Sequence, residues 1–330
     1  MLLIGVLLPA LLAAAPQALG NFKVIVIPDT QNESTWAPEM FTAQTQWIVD
    51  NKSDIAFVAH VGDVVNTCTN SAQYNNADAA MDLLDNGNVP YGISPGNHDQ
   101  PNSGACGDTS RYPSYFGTTR FAGKSYYGGV LDDYNHYFFF SAGGMDFIII
   151  FLQYNPGTVQ LDWADARMKE NPHRRGIVVS HNMLNLNDTW SNSSIYESLK
   201  DNPNLFLLLC GHNHSISEGE ALITANYNGT TVHAILSDYQ DFEGYTGGGW
   251  LRILEFTPST DLIAVTAYSP YMQATGSSFT LSYNMPYLYG DHTTPADCDV
   301  DGSDLADLIA DPSLLDIMAF AKNFGRANCV

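Results

Sequence analysis

Histidine, aspartate, asparagine and glutamine recur just after short apolar runs along this 330-residue sequence. The most concentrated case is a Gly-His-Asn-His stretch, in which His212 and His214 follow the apolar run 205–210. An apolar run of that length, bounded by turn residues, predicts a buried strand. Two imidazoles one residue apart, just past a strand and behind a glycine that lets the backbone turn, can face one site and bind a metal ion. For this stretch taken alone, a loop with two solvated histidines is the alternative.

Four further apolar runs end in polar residues of the same kinds. They cover residues 22–28, 55–61, 89–94 and 176–180. The polar residues that follow them are Asp29 and Gln31, then Asp63, then Asn97 with His98 and Asp99, and finally His181. Helical stretches separate the first three runs, which gives a rhythm of strand, polar tip and helix. Because ligands of open α/β sheets bind beyond the carboxyl ends of the strands, these side chains are expected to meet at one edge.

In order along the chain, these polar tips resemble the motifs of the calcineurin-like metallophosphoesterase family. The family pattern reads D-x-H, G-D, G-N-H-D/E, a lone His, and G-H-x-H, and four of the five blocks match in order between residues 24 and 214. The first block departs from the pattern, since Gln31 stands where the family has histidine. The resemblance implies an α/β fold, a four-layer α/β/β/α sandwich of two packed mixed sheets.

The resemblance also implies two divalent metal ions that share one carboxylate. One ion would be held by Asp29, Gln31, Asp63 and His214, and the other by Asp63, Asn97, His181 and His212. The implied reaction is hydrolysis of a phosphomonoester or phosphodiester by a hydroxide that bridges the two ions. His98 fits a general acid for the leaving alkoxide, and Asp99 is expected to orient the His98 imidazole.

Gln31 makes one end of this site unusual, because it offers a neutral carbonyl oxygen in place of an imidazole. Manganese, iron or magnesium therefore fits that end better than zinc. A mononuclear or inactive site is the alternative there. At the level of the whole protein, the alternative to an enzyme is a binding or surface-attachment protein that keeps the fold without catalysis. His98 favours the enzyme, because a scaffold does not need an imidazole beside Asn97.

Beyond residue 215 the apolar and polar residues alternate over shorter runs. The runs at 221–227, 231–237, 250–256 and 262–268 predict strands, and Asn228-Gly229 predicts a hairpin turn between the first two. These strands are expected to form a second sheet that packs face to face on the first.

Acidic residues outnumber basic ones by 35 to 13, which gives a formal net charge of −22. Proteins that bind the phosphate backbone of nucleic acids rely on clustered lysine and arginine, and no such cluster is present. The charge therefore argues against nucleic acid as a partner and leaves a small phosphate ester, held by metal ions, as the expected substrate. The sequence does not define an oligomeric state.

The first 20 residues are apolar and uncharged and end in small residues, as a secretory signal peptide does. Cleavage after Gly20 would make Asn21 the first mature residue and place the protein in the periplasm, at the cell surface or outside the cell. An uncleaved anchor is the alternative, because the basic residues of a typical signal are missing. No other segment is long and apolar enough to form a stable membrane span in the mature chain.

Five cysteines in an exported chain predict two disulfide bonds and one free thiol. Cys210 lies within a buried apolar run and is expected to be the free one. The remaining pairs considered are Cys68 with Cys106 and Cys298 with Cys329, although the sequence leaves the connectivity open.

Residues 290–296 are predicted to link a phosphoesterase domain, 21–289, to an acidic tail, 297–330. The tail places acids at alternate positions before a glycine, which resembles the start of an EF-hand or dockerin-type calcium loop. Its candidate calcium ligands are Asp297, Asp299, Asp301 and Asp304. Because Leu308 stands where such a loop ends in an acid, a calcium-stabilised cap and a plain acidic connector both remain open.

Overall fold

The structure, a computed structural model, describes residues 20–242 and 247–285. The predicted signal peptide lies outside the described residues except for Gly20. The predicted linker and the acidic tail, with its four candidate calcium ligands, also lie outside them. Among the described residues, no helix is both long and apolar enough to cross a membrane.

Strands and helices alternate through the first two thirds of the described chain, and strands dominate the rest. The strands are β1 (Phe22–Ile27), β2 (Ile55–His60), β3 (Tyr91–Ile93), β4 (Tyr127–Asp132), β5 (Asn135–Ala142), β6 (Met145–Leu152), β7 (Arg175–Ser180), β8 (Leu184–Asn185), β9 (Thr189–Trp190), β10 (Leu205–Cys210), β11 (Glu220–Tyr227), β12 (Thr230–Ser237), β13 (Leu251–Thr257), β14 (Leu262–Ser269) and β15 (Ala274–Ser282). The helices are α1 (Gln31–Trp36), α2 (Pro38–Asp50), α3 (Ser71–Gly87), α4 (Tyr112–Phe116), α5 (Thr118–Phe121), α6 (Thr158–Glu170) and α7 (Ser194–Leu199).

The first sheet has six strands in the order β15-β14-β13-β1-β2-β3. Strands β1, β2 and β3 run parallel to one another. Strands β13, β14 and β15 extend the sheet from β1 in antiparallel pairs. The carboxyl ends of β1, β2 and β3 therefore lie at the same edge, as the sequence rhythm predicts.

The second sheet has seven strands in the order β11-β12-β10-β7-β6-β5-β4. Its centre, from β12 to β6, is parallel, and its borders are antiparallel. The predicted hairpin joins β11 to β12, with φ of 49° at Asn228 and 86° at Gly229. Both values lie in the left-handed region that such a two-residue turn requires.

The expectation that the strands after residue 215 form a sheet of their own is wrong. Strands β11 and β12 join the sheet of β7 and β10, whereas β13, β14 and β15 extend the sheet of β1. Alternation of apolar and polar residues reports that one face of a strand is buried, but it does not identify the neighbouring strand. The edge strand β15 was not predicted, because it is mostly exposed and rich in serine and threonine.

The two sheets pack face to face through aromatic rings. Phe57 of β2 stacks on Phe140 of β5 with ring centroids 5.2 Å apart. Phe147 of β6 lies 6.1 Å from Phe256 of β13 between centroids. Burial of a phenylalanine ring contributes about 1.5–3 kcal/mol, so these contacts hold the sheets together firmly enough to fix the edge where both end.

Helices cover the outer faces of both sheets. Phe41 of α2 contacts His60 of β2, and Trp47 of the same helix contacts Tyr268 of β14. On the other side, α6 and α7 bury Leu161 and Leu199 in a second apolar cluster with β6, β7 and β10. The predicted four layers, α/β/β/α with two mixed sheets, are thereby confirmed.

One of the two predicted disulfide bonds lies within the described residues. Cys68 and Cys106 are bonded, with Cα atoms 5.8 Å apart, and Cys210 is free and buried. The other pair considered, Cys298 with Cys329, lies outside the described residues. The Cys68–Cys106 bond ties the segment after β2 to the segment after β3, and both segments lead into the polar edge.

Removal of this bond should destabilise the protein measurably. The bond closes a loop with a sequence separation of 38 residues, so the double substitution Cys68→Ala/Cys106→Ala should lower the free energy of unfolding by about 2–4 kcal/mol. Urea denaturation without reductant measures the difference. Wild-type protein treated with reductant should shift by a similar amount, and identical midpoints for variant and wild type would show that the bond constrains nothing.

Candidate metal centre

The polar residues that end the parallel strands of both sheets meet at one edge of the sandwich. Asp63 follows β2, His181 follows β7 and His212 follows β10. One ligand atom from each of these three residues lies within 4.8 Å of the others. A single metal ion can span such a group with bonds of about 2.0–2.2 Å. The structure therefore brings together three of the seven predicted metal ligands, and they come from two different sheets.

His181 is held with one ring nitrogen directed at this cluster. Its Nδ1 lies 3.0 Å from the carbonyl oxygen of Val61, which can only accept, so Nδ1 carries a hydrogen. Its Nε2 lies 3.0 Å from Oδ2 of Asp63 without the alignment of a hydrogen bond. A ring fixed through Nδ1 and open at Nε2 has the arrangement of a metal-binding histidine.

Asp63 is fixed by the backbone on either side of it. Gly62 and Asp63 both adopt positive φ, 109° and 51°, which turns the chain sharply after β2. The backbone N–H of His98 donates to Oδ1 of Asp63 over 2.8 Å. Burial disfavours the ionised carboxylate, but His181 beside it and the His98 amide bring the pKa of Asp63 below its usual value. Asp63 is therefore poised as an anion at the centre of the site.

Charges around the cluster are unbalanced without a cation. Burial, then the charges of Asp238 and Asp63, raises the pKa of Asp29 well above its usual range. Burial, then the neighbouring His181, lowers the pKa of His212 to about 4, so its imidazole is neutral and has a lone pair for a metal. Crowded carboxylates and neutral imidazoles together favour the binding of positive ions.

Buried polar atoms without hydrogen bonds concentrate at the predicted ligands, and this observation tests whether the residues fit metal ions. Four predicted ligands carry such an atom, namely Oδ2 of Asp29, Oε1 of Gln31, Oδ1 of Asn97 and Nε2 of His181. Each unsatisfied buried atom costs about 1–3 kcal/mol. All four are atom types that bind divalent metals. The residues present therefore fit metal ions at this edge.

Gln31 presents the neutral oxygen that the sequence predicts. Its backbone N–H donates to Oδ1 of Asp29 over 2.9 Å, which places the two side chains on one turn. Its side-chain Nε2 donates to Oε1 of Gln240, and this leaves Oε1 of Gln31 without a partner. The Gln31 end of the site is thus lined by oxygen atoms.

His214 lies at the Gln31 end but outside the group formed by Asp63, His181 and His212. Its Nε2 lies 3.1 Å from Oδ2 of Asp241, and its Nδ1 lies 2.6 Å from Nε2 of Gln240. Gln240 therefore contacts both His214 and Gln31. Gln240 thus links His214 to Gln31, whereas His181 and His212 lie in the group with Asp63.

His98 is oriented by the backbone. Its Nδ1 lies 2.7 Å from the carbonyl oxygen of Asn66, so Nδ1 carries a hydrogen and Nε2 is the nitrogen available to a substrate. The ring is partly exposed, and its backbone N–H is bonded to Asp63. His98 is thus hydrogen-bonded to the group formed by Asp63, His181 and His212 but does not belong to it.

The expectation that Asp99 orients the His98 imidazole is wrong. Asp99 is fully buried, and its carboxylate accepts from the backbone N–H groups of Gly96, Val64 and Val65 over 2.9 to 3.3 Å. Burial, then Asp63, raises the pKa of Asp99 to about 7 in spite of these amides. Asp99 thus joins the two loops that follow β2 and β3. The group that orients the His98 imidazole is the carbonyl of Asn66.

Sequence reasoning missed four residues at the site. They are Tyr154, Asp238, Gln240 and Asp241. Asp238 follows directly after the last residue of β12, so the rule that polar residues gather at strand ends applies to it as well. The expectation that β12 belongs to a separate second sheet gave no reason to place Asp238 beside His212.

Gly96 leaves space that the site needs. A methyl group at this position would overlap Oδ1 and the backbone nitrogen of Asp63. Gly96→Ala should therefore displace Asp63 and lower metal-dependent activity by about 100-fold or more, since misplacement by about 1 Å can have that effect. The control is Gly107→Ala, where a methyl group meets nothing within 4 Å. Metal content and activity of both variants test this, and equal values would contradict it.

A sandwich of two mixed sheets, with carboxylate and histidine side chains gathered beyond the parallel strands, defines a metal-binding α/β protein. The family described as calcineurin-like phosphoesterase matches residues 22–215, more than half of the chain. This chain therefore belongs to the calcineurin-like phosphoesterase family, and the resemblance seen in the motifs is confirmed.

Individual proteins are similar to this chain in sequence or in fold. The Bacillus subtilis (strain 168) protein YvnB, described as uncharacterized, is 33% identical over 268 residues, which is 78% of this chain and 20% of YvnB. This chain thus spans about a fifth of the length of that relative. A dimetal phosphatase from Danio rerio has a similar structure, with a TM-score of 0.52 and 13% identity over 79% of this chain and 99% of its own. The purple acid phosphatase PPD1 from Lupinus luteus matches with a TM-score of 0.50 and 14% identity over 82% of this chain and 55% of its own. At such identities the structures show a shared fold alone.

Proposed function

We propose that this protein hydrolyses small phosphomonoesters or phosphodiesters with the help of two divalent cations. The observation that carries the proposal is the convergence of Asp63, His181 and His212 within 4.8 Å, with His98 bonded to Asp63 through its backbone. A scaffold protein has no need of unsatisfied buried ligand atoms beside a partly exposed, oriented imidazole. An esterase needs both.

The residues divide into two sets of ligands, as the family resemblance implies. One ion would be held by Asp29, Gln31, Asp63 and His214, and the other by Asp63, Asn97, His181 and His212. When bound, such ions supply positive charge that activates water and stabilises the phosphoryl oxygens. They also place positive charge locally where an anionic substrate would bind, in a chain whose net charge of −22 would otherwise repel it.

His98 is the proposed general acid. The Asn66 carbonyl accepts from Nδ1, so Nε2 is the nitrogen that can hold the transferred proton. A proton held at Nε2 can be given to the oxygen of the leaving group as the phosphorus–oxygen bond breaks. Asp99 contributes by fixing the loop that carries His98, through its bonds to Val64 and Gly96.

Hydrolysis after metal removal and replacement tests the proposal. Protein stripped with a chelator should not hydrolyse bis- or mono-p-nitrophenyl phosphate, and addition of manganese should restore turnover. The faster of the two substrates identifies the enzyme as a diesterase or a monoesterase. His181→Asn should abolish the restored activity. The matched control is His173→Asn, which precedes β7 at the opposite edge of the sheet and should keep it. No turnover with manganese, iron, magnesium or zinc would refute the proposal.

The proposed location is outside the cytoplasm, which the Cys68–Cys106 bond supports because disulfides persist in oxidising compartments. Detection of the protein in the cell-free fraction of its native host, with the bond intact, is the expected result. Retention in the cytoplasm with both thiols reduced would contradict it.

A further inference from the structure

Asp238 lies at the same level of the second sheet as His212, the predicted metal ligand that follows β10. Strands β10 and β12 are parallel neighbours, with Cys210 opposite Leu236. Two residues further along each strand come His212 and Asp238, so both side chains leave the sheet at the edge where the ligands gather. A carboxylate at this position belongs to the metal centre by topology.

The carboxylate of Asp238 is buried and only half satisfied. The residue is fully buried, and its Oδ1 accepts from the backbone N–H of Gln240 over 3.1 Å. Its Oδ2 makes no hydrogen bond. Nδ1 of His214 lies 3.7 Å from Oδ2, which is beyond hydrogen-bond distance. A buried carboxylate with a free oxygen requires a positive partner.

The surroundings of Asp238 place it at the Gln31 end of the centre. Its Oδ2 lies 3.7 Å from Nδ1 of His214, which belongs to that end. Gln240, two residues further on, contacts both Gln31 and His214. Three buried oxygen atoms without hydrogen bonds therefore belong to this end, on Asp29, Gln31 and Asp238.

We propose that Asp238 binds the metal ion at the Gln31 end through Oδ2. This inference goes with the proposed function, because it concerns an ion of the same centre. With Asp29 and Asp63, Asp238 would bring the carboxylates around that ion to three. With the oxygen of Gln31 and the imidazole of His214, the donor set is mainly oxygen, which favours manganese or magnesium over zinc. Asp238 thus accounts for how a weak amide donor can occupy a ligand position.

Manganese binding to the metal-free full chain, measured by isothermal titration calorimetry and by electron paramagnetic resonance of free manganese, tests this inference. Wild type should bind two ions per chain. Asp238→Asn, which keeps the shape and removes the charge, should weaken one ion by at least about 10-fold and leave the other unchanged. The control is Glu218→Gln, which removes the same charge from an exposed residue of the adjacent loop and should bind as wild type does.

A second pair of variants separates a ligand from a residue that merely positions His214. If Asp238 binds the ion directly, Asp238→Asn should weaken manganese a further 10-fold or so in a His214→Ala background. If the double variant binds as His214→Ala alone does, Asp238 acts only through the histidine and the inference is overturned. Asp238→Ser is the substitute if the asparagine variant fails to fold, and the same loss is expected.

The outcomes also separate this inference from the proposed function. Loss of one manganese ion in Asp238→Asn supports Asp238 as a ligand even if no phosphate ester is hydrolysed. Unchanged binding in Asp238→Asn overturns the inference while a hydrolytically active wild type keeps the function. A wild type that binds one ion or none leaves no ion for Asp238, and this also overturns the inference.

Discussion

Asp63→Asn should abolish hydrolysis, with a decrease of about 10³-fold or more, and should reduce the bound metal from two ions to fewer than one. Asp63 is the carboxylate that both proposed ions share, and the loss of one charge-stabilising group alone has an effect of 10²–10³-fold in enzymes. The geometry adds a second loss. The His98 N–H bonds to one oxygen of Asp63, so the asparagine oxygen will take that side and its NH₂ will face His181. Nδ1 of His181 carries the ring's hydrogen, so Nε2 carries its lone pair. The asparagine NH₂ will donate to that lone pair and keep it from a metal ion.

The fold should survive this substitution. Asparagine tolerates the left-handed φ of 51° at this position, and it keeps the bond to the His98 amide. A matched control is Asp261→Asn, because Asp261 also has a left-handed φ, 57°, and also accepts from one backbone amide, that of Met285. Plasma mass spectrometry and hydrolysis of p-nitrophenyl esters give the two readouts. If Asp63→Asn keeps both ions and more than a tenth of the wild-type rate, the centre is not built on Asp63.

The sequence predicted the strands that carry the site because their signal is local. An apolar run that ends in a polar pair identifies a buried strand and its carboxyl end without knowledge of any partner. This is why Asp29, Asp63 and His181 were placed correctly at strand ends. Sheet membership depends on contacts between distant segments, and the alternation of apolar and polar residues within one strand does not predict those contacts.

The error over sheet membership explains why Asp238 was missed. Strands β10 and β12 were both predicted, but their parallel pairing was not. In a separate sheet β12 could end at either edge, so nothing in the sequence placed Asp238 at the site. Once β12 is paired with β10, the rule that selected His212 also selects Asp238. Asp238 can therefore be recognised as a candidate site residue only when the partner strand of β12 is known.

The error over Asp99 has a different cause. Adjacent residues on a turn do not face each other, and the side chains of His98 and Asp99 leave the backbone in different directions. Asp99 points into the protein, where three backbone amides require an acceptor. Its neighbour His98 points outward and donates to the backbone carbonyl of Asn66. Every residue has a backbone carbonyl, so the residue type at position 66 does not predict this contact. Side-chain roles that depend on the backbone are therefore the part of the site that sequence reveals least.

His98→Asn should slow hydrolysis in a way that depends on the leaving group. The asparagine Nδ2 can replace Nδ1 as donor to the Asn66 carbonyl, so the loop should remain in place while the acidic Nε2 is removed. General acid catalysis contributes about 10²–10⁴-fold, and that loss is expected for an alkyl phosphate, whose alkoxide must be protonated. A p-nitrophenyl ester should lose far less, because p-nitrophenolate is a stable anion that departs without a proton.

The comparison between these two substrates separates proton transfer from a merely structural role. Misplaced metal ions would slow both substrates alike, whereas a missing acid slows mainly the alkyl ester. Manganese content should equal that of wild type, because His98 contacts the cluster only through its backbone N–H on Asp63. His173→Asn, the same substitution at the far edge of the sheet, should change neither rate. Equal losses on both esters would remove His98 from the role of proton donor. The donor would then have to be sought among the residues at the Gln31 end, such as Asp241, whose Oδ2 lies 3.1 Å from Nε2 of His214.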